Sequence, residues 1–401
     1  MPATWLQRAL RRLMDLPPRE FVRTEAELEQ FNNRWLDAKL ADLLNAQPRP
    51  NTDHLWTEAE LRRLNNRWLS EKLAGLVDAE SHPNSDQLWC LWRDLENTKL
   101  NIKFFGYELA RAIAAALPPR TGLSAQTVGL NSKPSTQSDL ESDWAAYWVQ
   151  ELQMARLFRR KLWELVYALQ AIYENGHLRA GARGLGFGCG REPIPSYLAS
   201  RNVYVTATDL PLEDAKSKGW VDTGQHISRV DASYMDHLVS RAQFDQQVEF
   251  RYVDMIDIPA DLRDYDFCWS ICALEHLGSI KLGLDFIENS LLTLRSGGIA
   301  VHTTEFNFLN DEHTIDNWPT VLFQKKHFRD LAERLRHQGH YVAPLDFDVG
   351  SKSLDRFIDV PPYAHDWSQS LRDMCQEGQK HMKLSIDGFA CTCFGLIIRK
   401  A

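Results

Sequence analysis

The chain lacks any apolar run long enough for a membrane helix, and no secretory leader is visible, so a cytoplasmic protein is expected. It is poor in cysteine: seven are scattered over 401 residues, with Cys268 and Cys272 four apart, Cys391 and Cys393 two apart, and no C-x-x-C. That excludes a zinc-ribbon pattern and a disulfide framework and suits a reducing compartment. A dominant basic field is missing too. Lys and Arg number 46 against 54 Asp and Glu, for a net charge of −8, so no nucleic-acid partner is expected. With 44% hydrophobic and 25% charged residues the chain is globular. Its length allows one large core with an appendage, or two domains.

What is present begins with helices. Trp5–Met14 is a short basic amphipathic stretch that could dock on the protein or make weak contact with an anionic membrane. Residues 24–56 and 57–89 then form a tandem repeat, with 20 of 33 positions identical and no gap. Each copy opens on a capping-box-like Thr-x-x-Glu and carries apolar residues at helical spacing, Leu28, Phe31, Trp35, Leu36 and Leu40 in the first. A period of about 33 suggests stacked helical units, with residues 1–117 as a helical N-terminal region. Its surface could serve self-association or a protein partner.

Residues 118–142, rich in Pro, Ser, Thr and Gly, read as a linker, although Lys133 and Gln137 could fold back over the next domain. That domain is expected over 143–401. It starts with a strongly helical stretch, Trp144–Glu174.

The stretch the rest is organised around is Arg183–Glu192, Arg-Gly-Leu-Gly-Phe-Gly-Cys-Gly-Arg-Glu. Gly184, Gly186, Gly188 and Gly190 fall on alternate positions, between an expected strand and a helix at Ile194–Ser200. Asn202–Asp209 reads as a second strand ending in an acid, which can accept hydrogen bonds from ribose hydroxyls. A dinucleotide-binding fold competes at this point, but Gly190-Arg191-Glu192-Pro193 breaks its G-x-x-G tail. Further strands are expected at Val248–Val253, Tyr265–Ile271, Ile299–Thr303, Tyr341–Val349 and Phe389–Arg399.

The glycine stretch and the acid resemble motif I and the acidic loop of the class I S-adenosylmethionine-dependent methyltransferases. Gly186 stands where that family usually has an acid, and Glu192 replaces its last glycine. The resemblance covers roughly Trp144–Ala401. It implies an α/β, Rossmann-like seven-stranded sheet behind the helical N-terminal region. It implies S-adenosyl-L-methionine as cofactor, held by Gly186, Phe187, Gly188, Gly190, Glu192, Asp209, Leu210, Asp254, Met255 and Ser270. The blocks around Glu275-His276 and His302–Phe306 look like the type-11-like enzymes associated with polysaccharide biosynthesis. A sugar or glycan hydroxyl is the acceptor this implies. Another small-molecule acceptor, or a scaffold protein that keeps the cofactor fold, are the alternatives.

Methyl transfer to a hydroxyl benefits from a base, and the candidates are His276, then Glu305. His302 lies inside a strand and reads as a core histidine. His302-Thr303-Thr304-Glu305 with His313 has metal-ligand types but no diagnostic spacing, so no metal is assigned.

Overall fold

The computed structural model describes residues 85–210, 233–363, 367–376 and 380–401. The basic stretch Trp5–Met14, most of the tandem repeat and the polar segment Gly219–His226 lie outside the described residues. The chain divides into two compact units, Met1–Asn101 and Ile102–Ala401. Of the first, the described part is the start of helix α1 (Ser85–Ala116), which runs across the boundary.

The second unit is a ten-stranded mixed sheet with helices on both faces, not the seven strands expected. Its parallel half runs β4 (Val248–Tyr252), β3 (Tyr204–Asp209), β2 (Arg183–Phe187), β5 (Tyr265–Ile271) and β6 (Leu294–Asn307). The long β10 (Phe389–Arg399) then pairs antiparallel with β6, Leu396 opposite His302. On the other side of β10, where one partner strand was expected from Tyr341–Val349, three short pieces share the edge. β7 (Tyr341–Val342) meets Ile398–Arg399, β1 (Lys133–Pro134) meets Phe394–Gly395, and β9 (Lys383–Ile386) meets Phe389–Cys391. β8 (Ile358–Asp359) adds to β9 in parallel.

β1 comes from the stretch expected to be a linker. That stretch also forms α2 (Gln137–Glu141), and Ser132, Ser135, Thr136, Gln137 and Asp139 are buried. The Gln137 side chain accepts from the Leu354 amide, and its own amide donates to Asp355, so 118–142 is tied into the sheet domain at its far end. Lys133 binds Asp139 rather than reaching over the cavity described below.

Strand residues alternate between two cores. Phe267, Trp269, Ile271, Val301 and Ile397 face α3 (Asp143–Glu151), α4 (Arg160–Glu174) and α5 (Ile194–Ser200). Cys268, Ala300, Phe394, Leu396 and Ile398 face α6 (Ile280–Ser290) and α7 (Lys325–His337). Helices on both faces explain why β5 has no exposed residue. The helical stretch expected over Trp144–Glu174 is broken into α3 and α4, with Gln153 at φ 49° between them. Gly395 lets α4 lie close on β10, since a Cβ there would sit 2.2 Å from the Tyr167 ring.

His302 is 1% exposed on β6, with Ser270 at its Nδ1 (2.8 Å) and Ser290 at its Nε2 (3.0 Å). Burial pushes the imidazole down to about 3. Its ordinary value is higher, so below about pH 6.5 the unfolded chain takes a proton that the native ring refuses. Stability should therefore fall with pH from about 6.5 toward 3, by on the order of 4 kcal/mol for this group. Urea unfolding of the wild type and His302→Gln across that window tests it: the variant's slope should be shallower, and parallel slopes contradict the assignment.

Candidate active site

A cavity of about 510 Å³ opens at the carboxyl ends of β2, β3, β4 and β5. β2 is flanked by β3 and β5, and the strand order reverses there, which is where open α/β sheets bind ligands.

The glycine loop forms one wall. Gly188 (φ 59°) and Gly190 (φ 50°) turn the chain from β2 toward α5, and a Cβ on Gly188 would come 2.9 Å from that of Ala273. Asp209 ends β3 on the wall, one oxygen accepting from the Leu210 amide at 2.8 Å. Asp254 follows β4, and its carboxylate caps the Ile256 amide at 2.9 Å. Leu210 and Met255 also line the space. Glu192 sits at the loop's end and accepts from Trp269 Nε1 at 2.6 Å. Burial outweighs that bond and pushes its carboxyl up to about 8.

Beside the glycine loop, across the β2–β5 pair, the lining continues with Cys272 and with His276, in a short 3-10 turn (Leu274–His276) after β5. His276 Nδ1 lies 2.9 Å from the Pro319 carbonyl and 3.1 Å from the Thr320 hydroxyl. The carbonyl can only accept, so Nδ1 carries the proton and Nε2 is the basic nitrogen. Burial pushes this imidazole down to about 4, so it is neutral at pH 7.

Four expected site residues are placed elsewhere. Gly186 faces protein: a Cβ there would meet Cys189 Sγ at 2.3 Å and Trp269 at 2.5 Å. Phe187 is a core side chain stacked edge-on against Phe286. Ser270 is fully buried on His302. Each of these three lies in a strand covered on both faces, so none of their side chains lines the cavity. Glu305 is 4% exposed behind the wall and ion-paired with Arg160, and is not placed to take a proton from a molecule in the cavity. The metal set weighed around His302 does not converge either, because His302 is held by serines and His313 is exposed.

Sequence reasoning missed the cations. Arg159 caps α4 with no side-chain cap bond, and Arg159 and Lys161 line the cavity. Arg159 Nε is buried without a hydrogen-bond partner. Three consecutive basic residues, Arg159–Lys161, open a helix whose first turn has no acid, against the macrodipole. That anomaly was readable as a sign of anions to be met there.

No family model matches the chain, and no curated protein matches it. Solved structures similar to it include S-adenosylmethionine-dependent methyltransferases. The [4+2]-cyclase SpnF is 18% identical, over 59% of this chain and 82% of that one, with a TM-score of 0.37. Phosphoethanolamine N-methyltransferase 2 of Haemonchus contortus, in complex with S-adenosyl-L-methionine, is 14% identical over 58% and 51%, with a TM-score of 0.34. An S-adenosylmethionine-dependent methyltransferase from Mesorhizobium loti is 11% identical over 57% and 96%, with a TM-score of 0.32. These scores are too low to assign the chain a family or a substrate.

Proposed function

We propose that the chain is an S-adenosylmethionine-dependent methyltransferase that transfers the methyl group to a hydroxyl of a sugar or glycan. The observation that carries the reading is the cavity at the strand-order reversal, lined by Gly188, Gly190, Asp209, Asp254 and His276. The glycines admit a ligand's backbone-close approach, and Asp209 and Asp254 offer carboxylates for the ribose hydroxyls and the adenine amino group. Arg159 and Lys161 supply positive charge for the carboxylate of the cofactor's amino-acid end. The sulfonium brings its own leaving group, so the work left to the protein is alignment of the acceptor and removal of its proton. His276, neutral at pH 7 with its lone pair on Nε2, is an imidazole of the lining that can accept that proton, as a weaker base than a free imidazole. The choice of a sugar or glycan rests on the sequence blocks around Glu275-His276 and His302–Phe306.

Asp209→Ala tests the cofactor half. A charge-assisted hydrogen bond contributes about 1.5–3 kcal/mol, so affinity for S-adenosylmethionine should fall by about tenfold or more while the circular dichroism spectrum is unchanged. Unchanged affinity by calorimetry would remove Asp209 from the site.

A further inference from the structure

Behind the cavity wall lies a group of buried side chains that the proposed transfer does not use. One donor atom each of Cys272, Glu275 and Glu305 lie within 4.8 Å of one another. Glu275 is 0% and Glu305 4% exposed, and Cys272 lines the cavity. Both carboxylates are half satisfied in the same way. Thr304 Oγ1 donates to Glu275 Oε2 at 3.0 Å, and Arg160 holds Glu305 Oε1. Glu275 Oε1 and Glu305 Oε2 are buried with no hydrogen-bond partner. A buried, unpartnered carboxylate oxygen costs about 1–3 kcal/mol or more, and here there are two beside one thiol.

We propose that Cys272, Glu275 and Glu305 bind a divalent transition-metal ion of the zinc class, with the remaining coordination position toward the cavity.

The donor set fits that class. A thiolate selects against magnesium and calcium, and two carboxylates with one sulfur suit zinc or cobalt. A tetrahedral ion with metal–oxygen of about 2.1 Å and metal–sulfur of about 2.3 Å separates its donors by roughly 3.5 Å, so the three residues need to close by only about 1 Å. The charges also balance. With an ion bound, Arg160 offsets Glu305 and Lys161 offsets Glu164, which leaves Glu275 and a thiolate at Cys272 as two negative charges for the ion. Arg160 and Thr304 act as outer partners that orient each ligand by its other oxygen, an arrangement common around protein-bound metals. The neighbouring set Glu164, Cys272 and Cys393 shares Cys272, whose Sγ lies 3.9 Å from Cys393 Sγ. It differs in having no unpartnered oxygen: both Glu164 oxygens accept, from the Cys393 thiol at 2.9 Å and the Thr303 hydroxyl at 2.7 Å.

The site stands apart from the methyl-transfer reading, so its test uses neither cofactor nor acceptor. The full chain, stripped with a chelator, is titrated with Co²⁺ and followed by the thiolate-to-cobalt charge-transfer band, then challenged with Zn²⁺. One Co²⁺ per chain with that band, displaced by Zn²⁺, is expected. Cys272→Ser should abolish the band, and Cys90→Ser, remote in sequence, should keep it. Glu275→Gln and Glu305→Gln, close in shape to the native residues, should each weaken binding by about tenfold or more. They keep the proposal testable should Cys272→Ser not fold. No band in the wild type, a band that survives Cys272→Ser, or affinity unmoved by both glutamine variants overturns the site and leaves the two carboxyls as a proton-sharing pair.

Discussion

Replacing His276 by alanine is expected to lower turnover by about 10²–10⁴ while cofactor affinity stays near wild type, because general-base help is typically of that size. The acceptor must approach the methyl carbon from the side opposite sulfur. A base therefore belongs on the acceptor side of the cavity, and His276, in the 3-10 turn after β5, is the imidazole of the lining at the sheet's carboxyl edge that is oriented by its own hydrogen bonds. Its ring is oriented by the Pro319 carbonyl at 2.9 Å, which fixes the tautomer and leaves Nε2 to take the proton. Single-turnover rates with labelled S-adenosylmethionine, beside calorimetry on the same variant, separate chemistry from binding. Full turnover in His276→Ala would mean that the reaction proceeds by alignment alone. A loss confined to affinity would make His276 a cofactor contact.

Asp359→Ala should destabilise the second unit by about 3–5 kcal/mol, the usual cost of removing one partner of a buried ion pair. Lys103, fully buried on α1, reaches Asp359 Oδ1 at 2.6 Å. Tyr107 donates to Oδ2 at 2.8 Å, and His381 lies 2.6 Å from the same oxygen. The ammonium also sits 5.2–5.8 Å from the ring centroids of Tyr107, Tyr363 and Trp367. Burial opposes the carboxylate's charge, yet the His381 and Lys103 partners outweigh it and hold the group below its ordinary range. Without Asp359 the ammonium stays buried and uncompensated. Urea unfolding should show the loss as a lower midpoint, and Lys103→Met combined with Asp359→Leu should recover much of it. A loss under about 1 kcal/mol for Asp359→Ala would mean the cluster is not a lock. The same cluster bears on the domain boundary. A cut near residue 118 removes Lys103 and Tyr107 and leaves Asp359 in the remainder, so the second unit is expected to need its chain from Ile102 onward.

The middle of the sheet was largely legible because its signals are local. The glycine stretch, the bounds of β5 and β10, and helix α5 follow from apolar runs bracketed by turn residues. The break between α3 and α4 was hidden, because an apolar stripe runs on through Trp144, Trp148, Leu152 and Trp163 across the turn at Gln153. The expected partner strand for β10 failed for a tertiary reason: three segments far apart in sequence divide one edge, and no local pattern encodes such sharing. That Asp209, Asp254 and His276 line the cavity was readable because each ends or follows a strand at the sheet's carboxyl edge. Phe187 and Ser270 misled because in a sheet covered on both faces, nearness in sequence to a ligand loop does not give access to it. Glu305 does not line the cavity because Arg160, 145 residues away in sequence, holds its carboxylate, a pairing no local pattern encodes.

The central claim is that the cavity beside Gly188 and Asp209 holds S-adenosylmethionine. Calorimetric titration of the full chain with S-adenosylmethionine, S-adenosylhomocysteine and NAD tests it most directly. One site per chain is expected for the first two, weakened in Asp209→Ala, with no binding of NAD. Binding of NAD without the sulfonium pair, or no binding of any of the three, would contradict it.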